Sequence, residues 1–375
     1  MAHLPRKFRP FRTDRALANM EAEMIKNMKK ALALGLVLVF AAAAFAGCGK
    51  INGTKTALTV NGEEFSTGTV NLYLRYQQAA YFNLMAAYGM VSSESGYWDG
   101  ISDSETKQTY GEAFLSDIKN YIVNMAVTRQ HAEEYGCVLT EEQEAKVSEV
   151  AANFISDNAT VCEWIGVSQA DAENLISLIT YQNQMYDYMI ADVDTEVTDD
   201  EAAQSTIYYV RLGLTAPSDY EGTEEEYAAE RKELAESILK DLKDLDDPEV
   251  DEMTEKAAAY DDTLTAYSGS FGKNDEATGF DEAVITAAES LKDGELYDGV
   301  IETERALYLV KMEAVFDREA TDSKKDSIVL TRQQTRYSEL LTQWTDESEI
   351  TEGSGWKALK VTDRERYVTE GTVVG

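Results

Sequence analysis

The chain has 375 residues, with 34 Lys/Arg against 69 Asp/Glu, a formal net charge of −35 at pH 7. Binding to nucleic acid phosphates requires a basic surface, so this balance excludes nucleic acid as a partner class. Two histidines, His3 and His131, and three cysteines, with no CxxC or paired Cys/His spacing, give no support to a zinc site or a cofactor-bearing centre. His131 lies in the polar run Arg129-Gln130-His131-Ala132-Glu133-Glu134 and reads as a surface residue of a helix.

Met1 to Asn27 is polar and basic and does not fit a signal. It reads as an extension from a start codon placed too early, with a cytoplasmic basic tail as the alternative. Met28 to Gly47 carries Lys29 and Lys30, then an unbroken apolar run from Ala31 to Ala46, then Gly47-Cys48. A basic n-region, an apolar h-region and a small-residue cleavage site form a secretory signal. The run is short for a bilayer span of about 20 residues. With the small pair Ala46-Gly47 before Cys48, the segment resembles the lipobox of bacterial lipoproteins, whose cysteine is acylated; Phe45 departs from the usual aliphatic residue. The alternative is an uncut signal anchor with Cys48 a bystander. The lipoprotein reading implies a membrane partner through a lipid anchor and an extracytoplasmic location for the rest of the chain, whose net charge is then about −40.

Residues 48–56 read as a polar tether. Ala57 to Val60 reads as a strand meeting an Asn61-Gly62 turn, and Ser66 or Thr67 as a helix cap. Helical periods follow over Val70–Met85, Phe114–Tyr135, from Thr140 with its Gln143 capping box, and over Ser168–Ile190. Gly89 to Asp103 is loop-like, and Gly136 sits at a C-cap position. Residues 57–196 therefore read as a helical domain with one short strand. Cys137 and Cys162 remain as either one disulfide or, preferably, two buried apolar residues.

The texture changes after a short helix start at Thr198. Thr206–Leu214 is β-rich, Glu224–Leu245 and Met253–Tyr260 are helical, and Ser268–Gly272 reads as a Gly-rich loop. A helix over Phe280–Leu291, a turn at Lys292–Glu295 and a strand over Ala306–Val315 complete a compact α+β domain, residues 204–316. An amphipathic helix over Asp326–Trp344 and a tail carrying Trp356 form a last segment, residues 326–365. An isolated helix would be marginal in water, so this segment is expected to pack on the helical domain, with the α+β domain inserted between. The fold class is α+β.

Three passages carry a resemblance to extracytoplasmic foldases of the SurA/PrsA type. They are Thr59-Val60-Asn61-Gly62-Glu63 with Phe65; Ala132-Glu133-Glu134-Tyr135-Gly136 with Leu139-Thr140-Glu141-Glu142; and Phe280-Asp281-Glu282-Ala283 with Leu291–Leu296 and Leu307–Met312. The resemblance implies a SurA N-terminal-like helical domain, a parvulin-like prolyl isomerase domain, and unfolded or newly exported polypeptides as partners. It also locates a departure. The family's strand histidines match Arg211 and Tyr308, its polar residue after the second helix matches Asp261 or Asp262, and its proline-shelf aromatic matches Phe280, which otherwise reads as a core aromatic. The implied function is a membrane-anchored foldase or chaperone with a degenerate, weak or inactive isomerase domain. The alternatives are an active parvulin-type isomerase and a solute-binding lipoprotein, which needs two lobes of alternating strands and helices.

Overall fold

The computed structural model describes residues 51–91, 96–275 and 278–361. The signal segment, Cys48 and the start of the tether lie outside the described residues. The chain divides into two compact units, one taking it up to Asp192 and again from Arg336, the other spanning Val193–Thr335.

The first unit opens with a hairpin of β1 (Thr56–Val60) and β2 (Glu63–Ser66). Asn61 and Gly62 sit at φ 52° and 83°, the left-handed pair that a two-residue hairpin demands and that Asn-Gly tolerates. Ser66 caps α1 (Thr67–Ala87) by accepting from the Thr69 N–H. Then come α2 (Tyr110–His131), a 3-10 turn over Ala132–Tyr135 closed by Gly136 at φ 68°, α3 (Glu141–Asp157), α4 (Ala159–Ile165) and α5 (Gln169–Met189). Thr140 and Gln143 form the expected capping box of α3. Asp171 does double service: it accepts from Ser168 at the start of α5 and from Ser66 and Thr69 at the start of α1, tying two helix ends together. Cys137 and Cys162 are free and buried.

The second unit runs α6 (Asp199–Ala202), β3 (Ser205–Gly213), α7 (Glu224–Lys243), α8 (Val250–Ala258), β4 (Ala266–Phe271), α9 (Glu282–Glu289), β5 (Ile301–Glu302) and β6 (Ala306–Ala314). Its four-stranded sheet has the order β4-β3-β6-β5, antiparallel throughout. On one face Val210, Leu212, Leu307 and Leu309 pack against Ile238 and Leu242 of α7 and Met253 and Ala257 of α8. On the other, Ile207, Phe271, Tyr308 and Val310 meet Val284, Ala287 and Ala288 of α9.

The chain leaves through α10 (Arg318–Asp346), which begins about two turns before the sequence-based start. Asp317 supplies the cap, accepting from Ala320 N–H at 2.9 Å and from Thr206 Oγ1 at 2.6 Å. From Arg336 onward α10 belongs to the first unit, where Leu340, Leu341 and Trp344 are buried in the same core as Phe65, Ile118, Ile122 and Leu178. The tail then forms β7 (Ile350–Glu352), which pairs with β1 to give the order β2-β1-β7.

Two expectations are corrected. Ser268–Gly272 is not a loop: residues up to Phe271 form β4, paired with β3 from Ser205↔Phe271 to Val210↔Ala266. His131 is not a plain surface residue. Its ring stacks on Trp344 at 4.4 Å and 10°, leaving the side chain 27% exposed, with Nδ1 3.1 Å from Glu134.

Candidate functional site

Alternate residues of a strand share a face, so Ile207, Tyr209 and Arg211 of β3 face the side that α9 covers in part. Register sets the neighbours. Tyr209 lies opposite Tyr267 on β4, Arg211 opposite Tyr308 on β6, and Tyr308 opposite Ile301 on β5. Phe280, half-buried ahead of α9, meets Tyr209 edge to face at 5.3 Å and Phe271 at 6.3 Å. Tyr209 lies 5.7 Å from Tyr267 and 6.0 Å from Tyr308, ring centre to ring centre. Gly269 makes room: a Cβ there would lie 2.6 Å from Phe280 Cζ.

The face grades from dry to wet. Tyr308 is buried, Tyr209 and Phe280 are half-buried, Tyr267 is 51% exposed, and Arg211 is exposed. Arg211 Nε donates to the Tyr308 hydroxyl at 3.2 Å. Burial raises the Tyr209 phenol above its ordinary pKa, the neighbouring Tyr308 and Tyr267 add to this, and Arg211 opposes it.

Three of the five sequence candidates, Arg211, Phe280 and Tyr308, thus meet around Tyr209. Asp261 is committed elsewhere. It accepts from Thr263 Oγ1 at 2.6 Å and from Arg231 Nη1 of α7 at 2.6 Å, and these bonds hold its carboxyl below the usual carboxylate range. Asp262 is exposed, without a partner among the described residues. Tyr209 and Tyr267 escaped the sequence reading: Tyr209 carried a signal as the in-face member of an alternating strand, and Tyr267 lies just ahead of Ser268–Gly272, whose reading as a loop hid the strand it belongs to.

Chemically, this face offers aromatic surface for a flat apolar ring and one guanidinium for a carbonyl or carboxylate. The described residues of the second unit contain no histidine, and no cluster of metal-ligating side chains is found among the described residues.

The first unit carries a second aromatic feature. Tyr97 stacks on Tyr110 at 5.1 Å and 14°, Trp98 lies 5.1 Å from Phe114, and Tyr81 lies 5.7 Å from Phe114. Tyr81 and Tyr97 hydroxyls meet at 3.0 Å, and burial raises the Tyr97 phenol above its ordinary range. Backbone bonds from Tyr110 N to Gly100 O and from Gly111 N to Trp98 O fix the loop on α2. The chain segments entering and leaving this cluster expose Tyr88 (72%), Met90 (61%), Ile101 (50%) and Tyr110 (40%).

No protein-family model matches the chain, and no curated protein matches it. Among solved structures the chain is similar to foldase protein PrsA from Streptococcus pneumoniae, at 16% identity over 68% of this chain and 94% of that one, TM-score 0.27. It is also similar to the peptidylprolyl isomerase PrsA from Bacillus anthracis (14%; 66% and 100%; TM-score 0.26). The corresponding protein from Bacillus cereus matches at 16% identity (72% and 96%; TM-score 0.29). Identities this low leave the functional reading to the residues themselves.

Proposed function

We propose that this protein is a lipid-anchored extracytoplasmic foldase that holds unfolded, newly exported polypeptides, with weak or no prolyl isomerase turnover. The observation that carries the reading is that Tyr88, Met90 and Ile101, on the segments flanking a packed aromatic cluster of the first unit, and Tyr110 within it are exposed. Tyrosine offers area with a polar handle and methionine adapts to many shapes, which suits varied clients. Anchoring rests on the sequence around Cys48, and no helix among the described residues is long and apolar enough to cross a membrane. Cys48→Ser is expected to release the protein from the membrane fraction or leave the precursor uncut. A variant processed and anchored like the parent contradicts the anchor.

Weak turnover follows from the chemistry of the second unit. An X-Pro bond isomerises over a barrier of about 18–20 kcal/mol. The two positions matching the family's imidazoles hold a guanidinium, Arg211, and a phenol, Tyr308, and neither offers the paired donor and acceptor nitrogens of a neutral imidazole. One observation favours an active isomerase: Phe280 and Tyr209 still form an aromatic corner able to seat a proline ring. Exchange spectroscopy on an X-Pro peptide panel separates the two readings. The solute-binding reading finds no support, since both sheets are antiparallel.

A further inference from the structure

We infer that the aromatic face of the second unit selects extended segments in which a proline or aromatic ring sits beside a carboxylate. The ring takes Tyr209 and Phe280; the carboxylate takes the guanidinium of Arg211. This rests on the polypeptide-binding reading above and adds a charge preference to it.

The argument starts from pairing. With 69 acidic against 34 basic residues, most arginines have an acid at hand. Arg129 pairs with Glu63, Arg231 with Asp261, Arg318 with Asp199, Arg332 with Glu201 and Arg336 with Asp192. Arg211 does not. It is exposed, its Nε is held by the Tyr308 hydroxyl at 3.2 Å, and no carboxylate among the described residues pairs with it. The phenol fixes one edge of the fork and leaves the two terminal amino groups for an external acceptor. A carboxylate is the acceptor whose two oxygens match that fork.

The spacing suits a peptide. Arg211 and Tyr209 are two residues apart on one face, about 6.6–6.8 Å along the strand. An extended ligand rises about 3.3 Å per residue, so a ring and a carboxylate one or two positions apart span the site. The acidic surface opposes such ligands at long range. A Debye length of about 8 Å at 0.15 M salt confines that repulsion and leaves the local contact to decide.

The test uses the purified full chain in detergent at about 0.15 M salt and fluorescein-labelled ten-residue peptides with a central Phe-Pro flanked by Glu, Gln or Lys. Fluorescence anisotropy is expected to give five- to tenfold tighter binding for the Glu peptide than for the Gln peptide. Arg211→Gln, at an exposed position, gives up the bond to Tyr308, so it should stay folded with a slightly lowered melting temperature and lose the preference or reverse it, because the acidic background remains. Arg305→Gln, an exposed arginine at the β5–β6 turn, should keep it. Equal affinity for all three peptides overturns the inference and leaves the polypeptide-binding reading standing. A preference that survives Arg211→Gln, or is lost equally in Arg305→Gln, also overturns it. Absence of any peptide binding, together with failure to suppress client aggregation, overturns both.

Discussion

Arg211 and Tyr308 stand directly opposite each other on β3 and β6, joined by a hydrogen bond of 3.2 Å from Nε to the phenol oxygen. The two residues therefore satisfy one another. Tyr308→Phe removes the acceptor and keeps the ring. At this partly exposed bond the expected loss is about 0.5–1.5 kcal/mol or less. X-Pro exchange should stay close to the uncatalysed rate in both proteins. Exchange as fast as in a histidine-bearing parvulin contradicts the weak-site reading.

Gly269 is the backbone position on which the aromatic corner closes. A Cβ there would meet Phe280 Cζ at 2.6 Å and Tyr209 Cε1 at 3.4 Å, so the Phe280 ring has to move. Gly269→Ala is expected to cost about 1–3 kcal/mol through overpacking and to weaken peptide binding to the second unit. Gly213→Ala on the neighbouring strand meets nothing within 4 Å and serves as the neutral control. Urea unfolding and anisotropy read the two effects. Unchanged peptide affinity in Gly269→Ala removes Phe280 from the site.

Trp344 closes the first unit from the C-terminal side. It is 5% exposed, stacks on His131 at 4.4 Å and meets Tyr135 edge to face at 5.9 Å. Truncating such a residue leaves a cavity, and Trp344→Ala is expected to lower stability by about 3–5 kcal/mol. A urea midpoint within error of the parent means that the last turns of α10 contribute nothing to this core.

Much of this architecture was legible because local chemistry forces it. Asn61-Gly62 admits only a tight hairpin, and Thr140 with Gln143 starts a helix wherever it occurs in such a setting. What escaped was decided by distant partners. Ser-Gly-Ser before Phe271 has the composition of a loop, and only the ladder to β3 makes it a strand. Ile350–Glu352 is too short to show a period, and becomes β7 because β1 offers it an open edge. The site was half legible. Arg211, Tyr308 and Phe280 were reached from a resemblance, while Asp261 turned out to serve Arg231, a pairing that no spacing along the chain announces.

Cys162 gives a pH signature. Burial pushes its thiol up to about 11, and Cys137 is raised for the same reason. A folded-state value above the unfolded one favours the neutral thiol in the native protein. Stability from this source is full below the ordinary thiol range near 8.5 and is lost as pH rises toward 11. Cys162→Ala and Cys162→Val should flatten the fall in urea midpoint between pH 9 and 11, and both thiols should resist alkylation until the chain unfolds. Rapid alkylation of Cys137 or Cys162 in the native protein contradicts the buried placement.

The central claim is that the exposed apolar surface of the first unit holds unfolded chains, and aggregation of a reduced, unfolded client tests it most directly. The full chain in detergent is expected to suppress light scattering by reduced lysozyme. The triple variant Tyr88→Ser, Met90→Ser, Ile101→Ser should need several-fold more protein for the same effect. These positions are 50–72% exposed, where substitutions shift stability by about 0.5 kcal/mol or less each, so the melting temperature should hold. Failure of the parent to suppress aggregation at several-fold excess, or equal suppression by a folded triple variant, contradicts the account.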